Sequence, residues 1–410
     1  MMLALLLARR GVAVTLLEAH ADFDRDFRGD TVHPAILEVL DQIGLAEALH
    51  EVPHVKFFGP SLVTDDGLQP LFDFRRLRTK FPWVMLVPQE RFIAFLAGEA
   101  AKYPRFRLVM KARVTQLIEE NGRVCGVRYQ EGDAWREVRA PLTVGADGRF
   151  SRVRHLAGIV PDVLAPPMEL LWFRLPRLPS DAAEFATLDG VRRGRALAVM
   201  NGEPGPFVAF IYRGQGFLLG LIDRIDHWQV AYIYPEGTYQ ALKAAGVDAF
   251  RRSIAELEPR LASHVEHLTD WRELSPLSVA FSRCRQWYKP GLLLIGDAAH
   301  VMTPAAGAGI KYAIEDAVVA ANVLAKPLSS GSVTVADLAK VQRKRERPTR
   351  LMQRVGAAGQ QALARLLREP PARRPSRAPW LLRLFFRTPG LRSLPALFVG
   401  FGFWRVRVEE

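Results

Sequence analysis

Cysteine is nearly absent from this chain: Cys125 and Cys284 are the two in 410 residues, too few for a disulfide framework, and neither belongs to a C-x-x-C pair. That usage points to a reducing compartment, by default the cytoplasm. No His or Cys cluster has metal-ligand spacing, so no structural metal is expected. Long apolar runs are missing too. The last one, ALFVGFGFW at 396–404, is about half the roughly 20 residues that a spanning helix needs. No repeat of about 20 to 50 residues is present, which excludes solenoids and propellers. What remains is a globular chain of about two or three domains, long enough to bury a substantial core.

The net charge of +13 is concentrated in one place. Residues 343–387 hold thirteen Lys or Arg against two acids, Glu346 and Glu369, so the rest of the chain is nearly neutral. No DNA- or RNA-binding motif accompanies the charge, and nucleic acid is not an expected partner. A basic helix, a break PPARRPSRAP at 370–379, and the apolar runs WLLRLFFR and ALFVGFGFW follow one another. Such a region can lie peripherally on an anionic membrane surface. The plainer reading, a solvated helix and a tail that packs its aromatics on the body, is favoured.

The most informative stretch is LLLIGDAAHVMTPAAGAGIKYAIEDAVVAANVLA, residues 292–325. Its first four residues read as a strand buried on both faces. Gly296 permits a tight turn, and Asp297 then projects from the carboxyl end of the strand, where open α/β sheets bind ligands. A carboxylate there accepts hydroxyls of a ribose or ribityl chain. After Pro304, the small residues up to Gly309, including Gly307 and Ala308, leave backbone N–H groups bare at the positive end of a helix. Two further stretches belong with it. In VGADGRFSRVR, 144–154, a strand ends, Asp147 and Gly148 turn the chain, and Ser151 opens a helix. In GVAVTLLE, 11–18, an apolar strand ends in Glu18, the position that bonds ribose hydroxyls in a dinucleotide fold.

These three motifs, in this order over residues 1 to about 345, resemble the FAD-dependent aromatic hydroxylases, the para-hydroxybenzoate hydroxylase-like group A flavoprotein monooxygenases. The resemblance implies bound FAD, a transient NADPH or NADH hydride donor, O₂ as co-substrate, and an electron-rich aromatic or polycyclic small molecule as substrate. It also implies that Arg28 in FRGDTVHP and Gln89 in VPQERF contact the flavin side, and that Asp147 lies near the cofactor. On residue type alone, Arg28 is a solvated loop residue, Gln89 a polar helix start, and Asp147 a helix cap. His300 has no acid at dyad spacing, and with His33 reads as a packing or loop residue. The family's G-x-G-x-N-L-x-x-Q-D pattern is altered here, with Lys311 and Tyr312 replacing Asn-Leu and Glu315 replacing Gln. Lys311 therefore either stabilises anionic reduced flavin from one helical step beyond the turn, or points to solvent or to Glu315.

The glycine turn G-x-G-x-x-G, expected about 20 residues before Glu18, does not occur. Residues 1–10, MMLALLLARR, read instead as the helix after such a turn. A signal peptide is disfavoured because Arg9 and Arg10 follow the apolar stretch. The expectation is a unit without its first strand and phosphate loop, as an internal start codon in a longer reading frame would produce.

The fold expected is α/β: a Rossmann-like FAD-binding domain with an inserted antiparallel-sheet substrate domain and a C-terminal helical tail. The FAD-binding domain takes 1–54, 83–160 and 284–342, the substrate domain 55–82 and 161–283, and the basic helical region 343–410. A helix from Pro34 to Gly44, a hairpin at Asp65-Asp66-Gly67, a β-meander over 109–144 and one helix over 239–258 are read along the way. Strand-like runs at 170–175, 196–200, 207–212, 217–222 and 228–234 make the sheet. Gly214-Gln-Gly216 enters a strand, not a helix, and is a hairpin rather than a second dinucleotide loop. Trp172, Phe207, Phe210, Tyr212 and Phe217 line a pocket or form a core stripe. Two rivals stand beside the hydroxylase reading: an FAD-dependent reductase of a quinone or polyprenyl substrate, and a non-catalytic remnant or membrane-binding protein on the same fold. A flavin halogenase is disfavoured by the lack of W-x-W-x-I-P.

Overall fold

The computed structural model describes residues 1–24, 30–64, 67–164, 168–181, 198–200, 203–205, 209–214, 216–224, 227–302, 307–368 and 389–409. Helix α1, Met2–Arg9, is apolar on every side and buried from Met2 to Ala8. Gly11, at φ 75°, turns the chain into strand β1, Val14–Leu17. Strand β2 is Thr31–Val32, and α2, Pro34–Gln42, opens on its proline, whose missing N–H costs nothing there. Strand β3, Val84–Leu86, is fully buried and leads into α3, Gln89–Ala101, and then β4, Phe106–Val109, parallel to β1.

The expected meander forms as three antiparallel strands, 112–120, 123–131 and 134–139. It returns the chain to β5, Thr143–Gly145. The parallel sheet stands in two pieces. β1 pairs with β4, and β5 pairs with β9, Leu292–Leu294. Among the described residues neither β1 nor β5 has a partner on its other edge. Val14 and Val144, one from each piece, pack on one core with α1 and α2.

The substrate-side sheet has seven strands. β6, Met168–Pro176, β7, Leu218–Asp223, and β8, His227–Tyr234, lie among 275–279, 209–213 and the hairpin 61–64/67–70. Alternation divides its residues between two faces. Leu171, Phe173, Leu175, Leu219, Leu221, Trp228, Val230 and Tyr232 pack with Phe250 and Ile254 under helices 239–245 and 247–257. Those helices were expected as one; Gly246 at φ 87° separates them. The short strand 198–200 pairs with 55–57 in a different sheet, so it is not part of the seven. The hairpin reading of Gly214 holds, its N–H donating to the Phe217 carbonyl at 3.0 Å. Asp65 and Asp66 lie outside the described residues.

Among the described residues, three helices follow β9, α4, Ala308–Ser329, α5, Val335–Arg368, and α6, Pro389–Phe401. Ala396 and Phe401 of α6 pack with Phe74, Leu77 and Val84. Residues 402–409 then run along the body. The Val408 N–H donates to Gln42 Oε1 at 2.8 Å, Asn322 Nδ2 to the Arg407 carbonyl at 2.8 Å, and Arg10 to the Glu409 carbonyl. The described segment 402–409 is thus tied to the body, while Phe403 and Trp404 stay exposed. Among the described residues, no helix is long and apolar enough to cross a membrane.

Candidate cofactor site

β9 ends at the turn Gly296–Ala298, where Gly296 adopts φ 59° and a Cβ would press on the Ala313 Cβ at 3.0 Å. The turn is tied to α4 from behind, because Asp316 Oδ2 accepts the Gly296 N–H at 2.9 Å. α4 starts after Gly307, at φ 58°. The Gly307 carbonyl accepts Thr31 Oγ1 at 3.2 Å and His33 Nε2 at 3.1 Å, so β2 pins the helix start. A Cβ on Gly307 would lie 2.5 Å from Thr31 Oγ1, and one on Gly309 would lie 3.9 Å from Asp297 Oδ1. Asp297, Gly307, Ala308 and Gly309 are therefore brought together as expected.

The Asp297 carboxylate accepts no hydrogen bond from a described residue, and burial raises its pKa against the pull of His300 and Arg149. A half-buried carboxylate of this kind, beside the bare N–H groups of a helix start, fits the hydroxyls of a ribityl or ribose chain.

Glu18 stands at the end of β1. It accepts the His20 N–H at 3.0 Å and meets His20 Nδ1 at 2.8 Å. It also faces the start of α1: burial draws the Met1 α-amino group down to about 6, and the Glu18 charge opposes that fall. Asp147 is exposed and caps the helical turn 152–156, accepting the Ser151 hydroxyl on one oxygen and the Val153 N–H at 2.9 Å on the other. Gln89 opens α3, and its backbone N–H bonds the Asp30 carboxylate. Arg28 and Pro304 lie outside the described residues.

Lys311 takes neither the solvent-facing placement nor the pairing with Glu315. It is fully buried, and its ammonium donates to the Val399 carbonyl in the last turn of α6 at 3.2 Å. Such a carbonyl has no partner within its own helix. Burial lowers the Lys311 pKa to about 8, with Glu315 opposing and Arg345 adding to the fall. His33 is likewise drawn to about 3 by burial and by Lys311.

His300 does have an acid: its Nε2 lies 2.6 Å from Asp316 Oδ2. Arg345 of α5 completes the buried group, donating Nε to Asp316 at 2.7 Å and Nη2 to Glu315 at 2.7 Å. The sequence signal was the terminal Asp of the altered helix pattern, but nothing local announces Arg345.

Of the aromatic candidates, Tyr212 and Phe217 lie on the helix-covered face and are core. Trp172 alternates to the opposite face. Phe207 and the side chain of Phe210 fall outside the description. Among the described residues no group of His, Cys, Asp and Glu suits a metal. A groove of about 260 Å³ between the end of β8 and α5, lined by Ile233, Tyr234, Gln361 and Arg365 among others, shares no residue with the Asp297 group.

A family model described as an FAD binding domain matches residues 1–355. The 6-methylpretetramide 4-monooxygenase of Streptomyces rimosus is 30% identical over 401 residues, 96% of this chain and 87% of that protein. Among solved structures, p-nitrophenol 4-monooxygenase from Pseudomonas putida superimposes with TM-score 0.74 at 18% identity, covering 97% of this chain and 93% of that one. An anhydrotetracycline hydroxylase from Streptomyces rimosus gives 0.70 at 23% identity, covering 97% and 73%. At these identities the two structures speak to the fold alone.

Proposed function

Because the chain belongs to the family of proteins that share this FAD binding domain, we propose that its substrate is a flat polycyclic phenol held between the start of α4 and the face of the antiparallel sheet away from the covering helices. The protein is an FAD-dependent monooxygenase, an oxidoreductase that hydroxylates an aromatic or polycyclic small molecule with NADPH or NADH and O₂. Bound FAD supplies the redox and oxygen chemistry. The chain supplies binding, orientation and a dry slot, since water above the ring diverts reducing equivalents into hydrogen peroxide.

The half-buried Asp297 carboxylate, set against Gly309 at the start of α4, carries this reading. It accepts cofactor hydroxyls, Glu18 does the same for the adenosine ribose, and the N–H groups of Gly307, Ala308 and Gly309 face the electron-rich edge of the ring. Gln89, at the start of α3, contacts the flavin side, the role that the motif resemblance also gives Arg28. Asp147 acts there only from its capping position, and Lys311 acts by charge alone, its hydrogen bond being committed to Val399. FAD titration of Asp297→Ala tests the site: a dissociation constant about tenfold or more above wild type is expected, and an unchanged constant refutes it. Product formed under labelled O₂ tests the chemistry, because a quinone or polyprenyl reductase incorporates no label.

A second reading concerns the surface. Arg343, Arg347, Arg350 and Arg354 are exposed at helical spacing on α5. The Arg347 guanidinium lies 5.6 Å over the Trp404 ring, and Leu394, Leu397, Phe403 and Trp404 are 40–51% exposed. We propose that this cationic and apolar patch touches anionic lipid reversibly.

A further inference from the structure

Asp30 is where separately folded pieces meet. It precedes β2, and its backbone carbonyl accepts the Val87 N–H at 2.9 Å, which sets it beside the entry to α3. That helix has Pro88 as its N-cap and no side-chain cap of its own, so its first N–H groups need partners. The Asp30 carboxylate takes the Gln89 N–H and puts a negative charge at the positive end of the helix.

The same carboxylate reaches across to the seven-stranded sheet. Arg224 Nη2, just past β7, lies 2.8 Å from Asp30 Oδ2. The amide of Gln229 in β8, only 2% exposed, lies between that oxygen and the Trp172 indole of β6; turned with its nitrogen toward Asp30, it donates to the carboxylate at 3.3 Å and accepts the indole N–H. Trp172 and Gln229 belong to the face away from the covering helices. Arg174 adds positive charge nearby and Glu90 negative. A carboxylate in this setting is stable only while its partners stay in place.

We infer that Asp30 is a positioning residue that locks the face of the antiparallel sheet away from the covering helices to the start of α3 and so fixes the height of the slot above the flavin. It touches neither cofactor nor substrate; it acts through Gln89 on one side and through Arg224, Gln229 and Trp172 on the other. The inference rests on the flavin reading only for what fills the slot. Its physical content is that loosening one carboxylate should raise the roof and admit solvent, without removing any group that binds FAD.

The test uses full-length Asp30→Ala and Asp30→Asn, with hydrogen exchange at residues 89–92 and 227–231, FAD affinity, and iodide quenching of bound-flavin fluorescence. Asp30→Ala is expected to speed exchange about tenfold in both segments, and to raise the quenching constant about threefold or more with FAD affinity nearly unchanged. Asp30→Asn keeps an acceptor for Gln89 and should fall between. If Asp30→Ala does not fold, Asp30→Asn decides the matter with the same readouts. Faster exchange with unchanged quenching overturns the inference, because Asp30 is then a strut remote from the slot. Unchanged exchange overturns it outright. A wild-type protein that takes up no FAD sinks the cofactor reading instead, and exchange at the two segments still decides whether the lock exists.

Discussion

Arg345 is one cation shared by two acids, and all three are buried. Removing a single member of such a group leaves an uncompensated charge, so Arg345→Met is expected to cost about 3–5 kcal/mol in chemical unfolding. Glu315→Gln should cost much less, because Glu315 Oε1 already has no partner among the described residues. Lys311 gives a prediction with a pH signature. Its pKa falls from the ordinary 10.5 to about 8 on folding, so between those values the unfolded chain holds a proton that the folded one has shed. Its contribution to stability therefore rises with pH through that window. Lys311→Met escapes the cost of the buried charge, and its stability relative to wild type should be highest near neutrality and decline above about pH 8. Thermal unfolding of both proteins across the range checks this, and a flat difference would show that the buried charge is of no consequence. Asp297 and Gly307–Gly309 were legible in the sequence because turn chemistry and helix starts are local. The Asp316–Arg345 pair, 29 positions apart on two helices, and the meeting of Asp30 with Arg224 were not, because only packing brings such groups together.

Elements were read well wherever periodicity governs them: the buried strand β9, the meander and the alternating strands of the large sheet all formed. The strand 198–200 was misplaced because composition does not say which sheet an apolar run joins. The basic run was read as a unit, yet α5 turns Arg345 inward and leaves Arg343, Arg347, Arg350 and Arg354 outside. α6 shows the same two-sidedness. Its inner residues Ala396 and Phe401 fill core, so deleting the helix would disturb more than any surface function. Substitutions on its outer side are the cleaner probe. Leu397→Ser with Trp404→Ser is expected to weaken sedimentation with phosphatidylserine vesicles at low salt, while leaving the unfolding midpoint nearly unchanged. Added salt should weaken wild-type binding as well. Equal sedimentation of the two proteins would remove the membrane reading.

At the scale of the molecule, the parallel sheet stands in two pieces. β1 and β5 each offer an edge that nothing described pairs, and both border the same core.

The tail has a different consequence, one of timing. Arg10 at the end of α1 bonds the carbonyl of Glu409, 399 positions later, and Gln42 and Asn322 bond the same segment. α1 is made well before α4 and the 402–409 segment, both of which it meets in the finished fold. Contacts of such long range form slowly. Until residues 389–409 emerge, Phe74, Leu77 and Val84 lack the α6 side chains that cover them, and the nascent chain carries a sticky surface suited to holding chaperones. Production in cells should accordingly respond to chaperone supply and slow growth temperature more than to any change in the cofactor site.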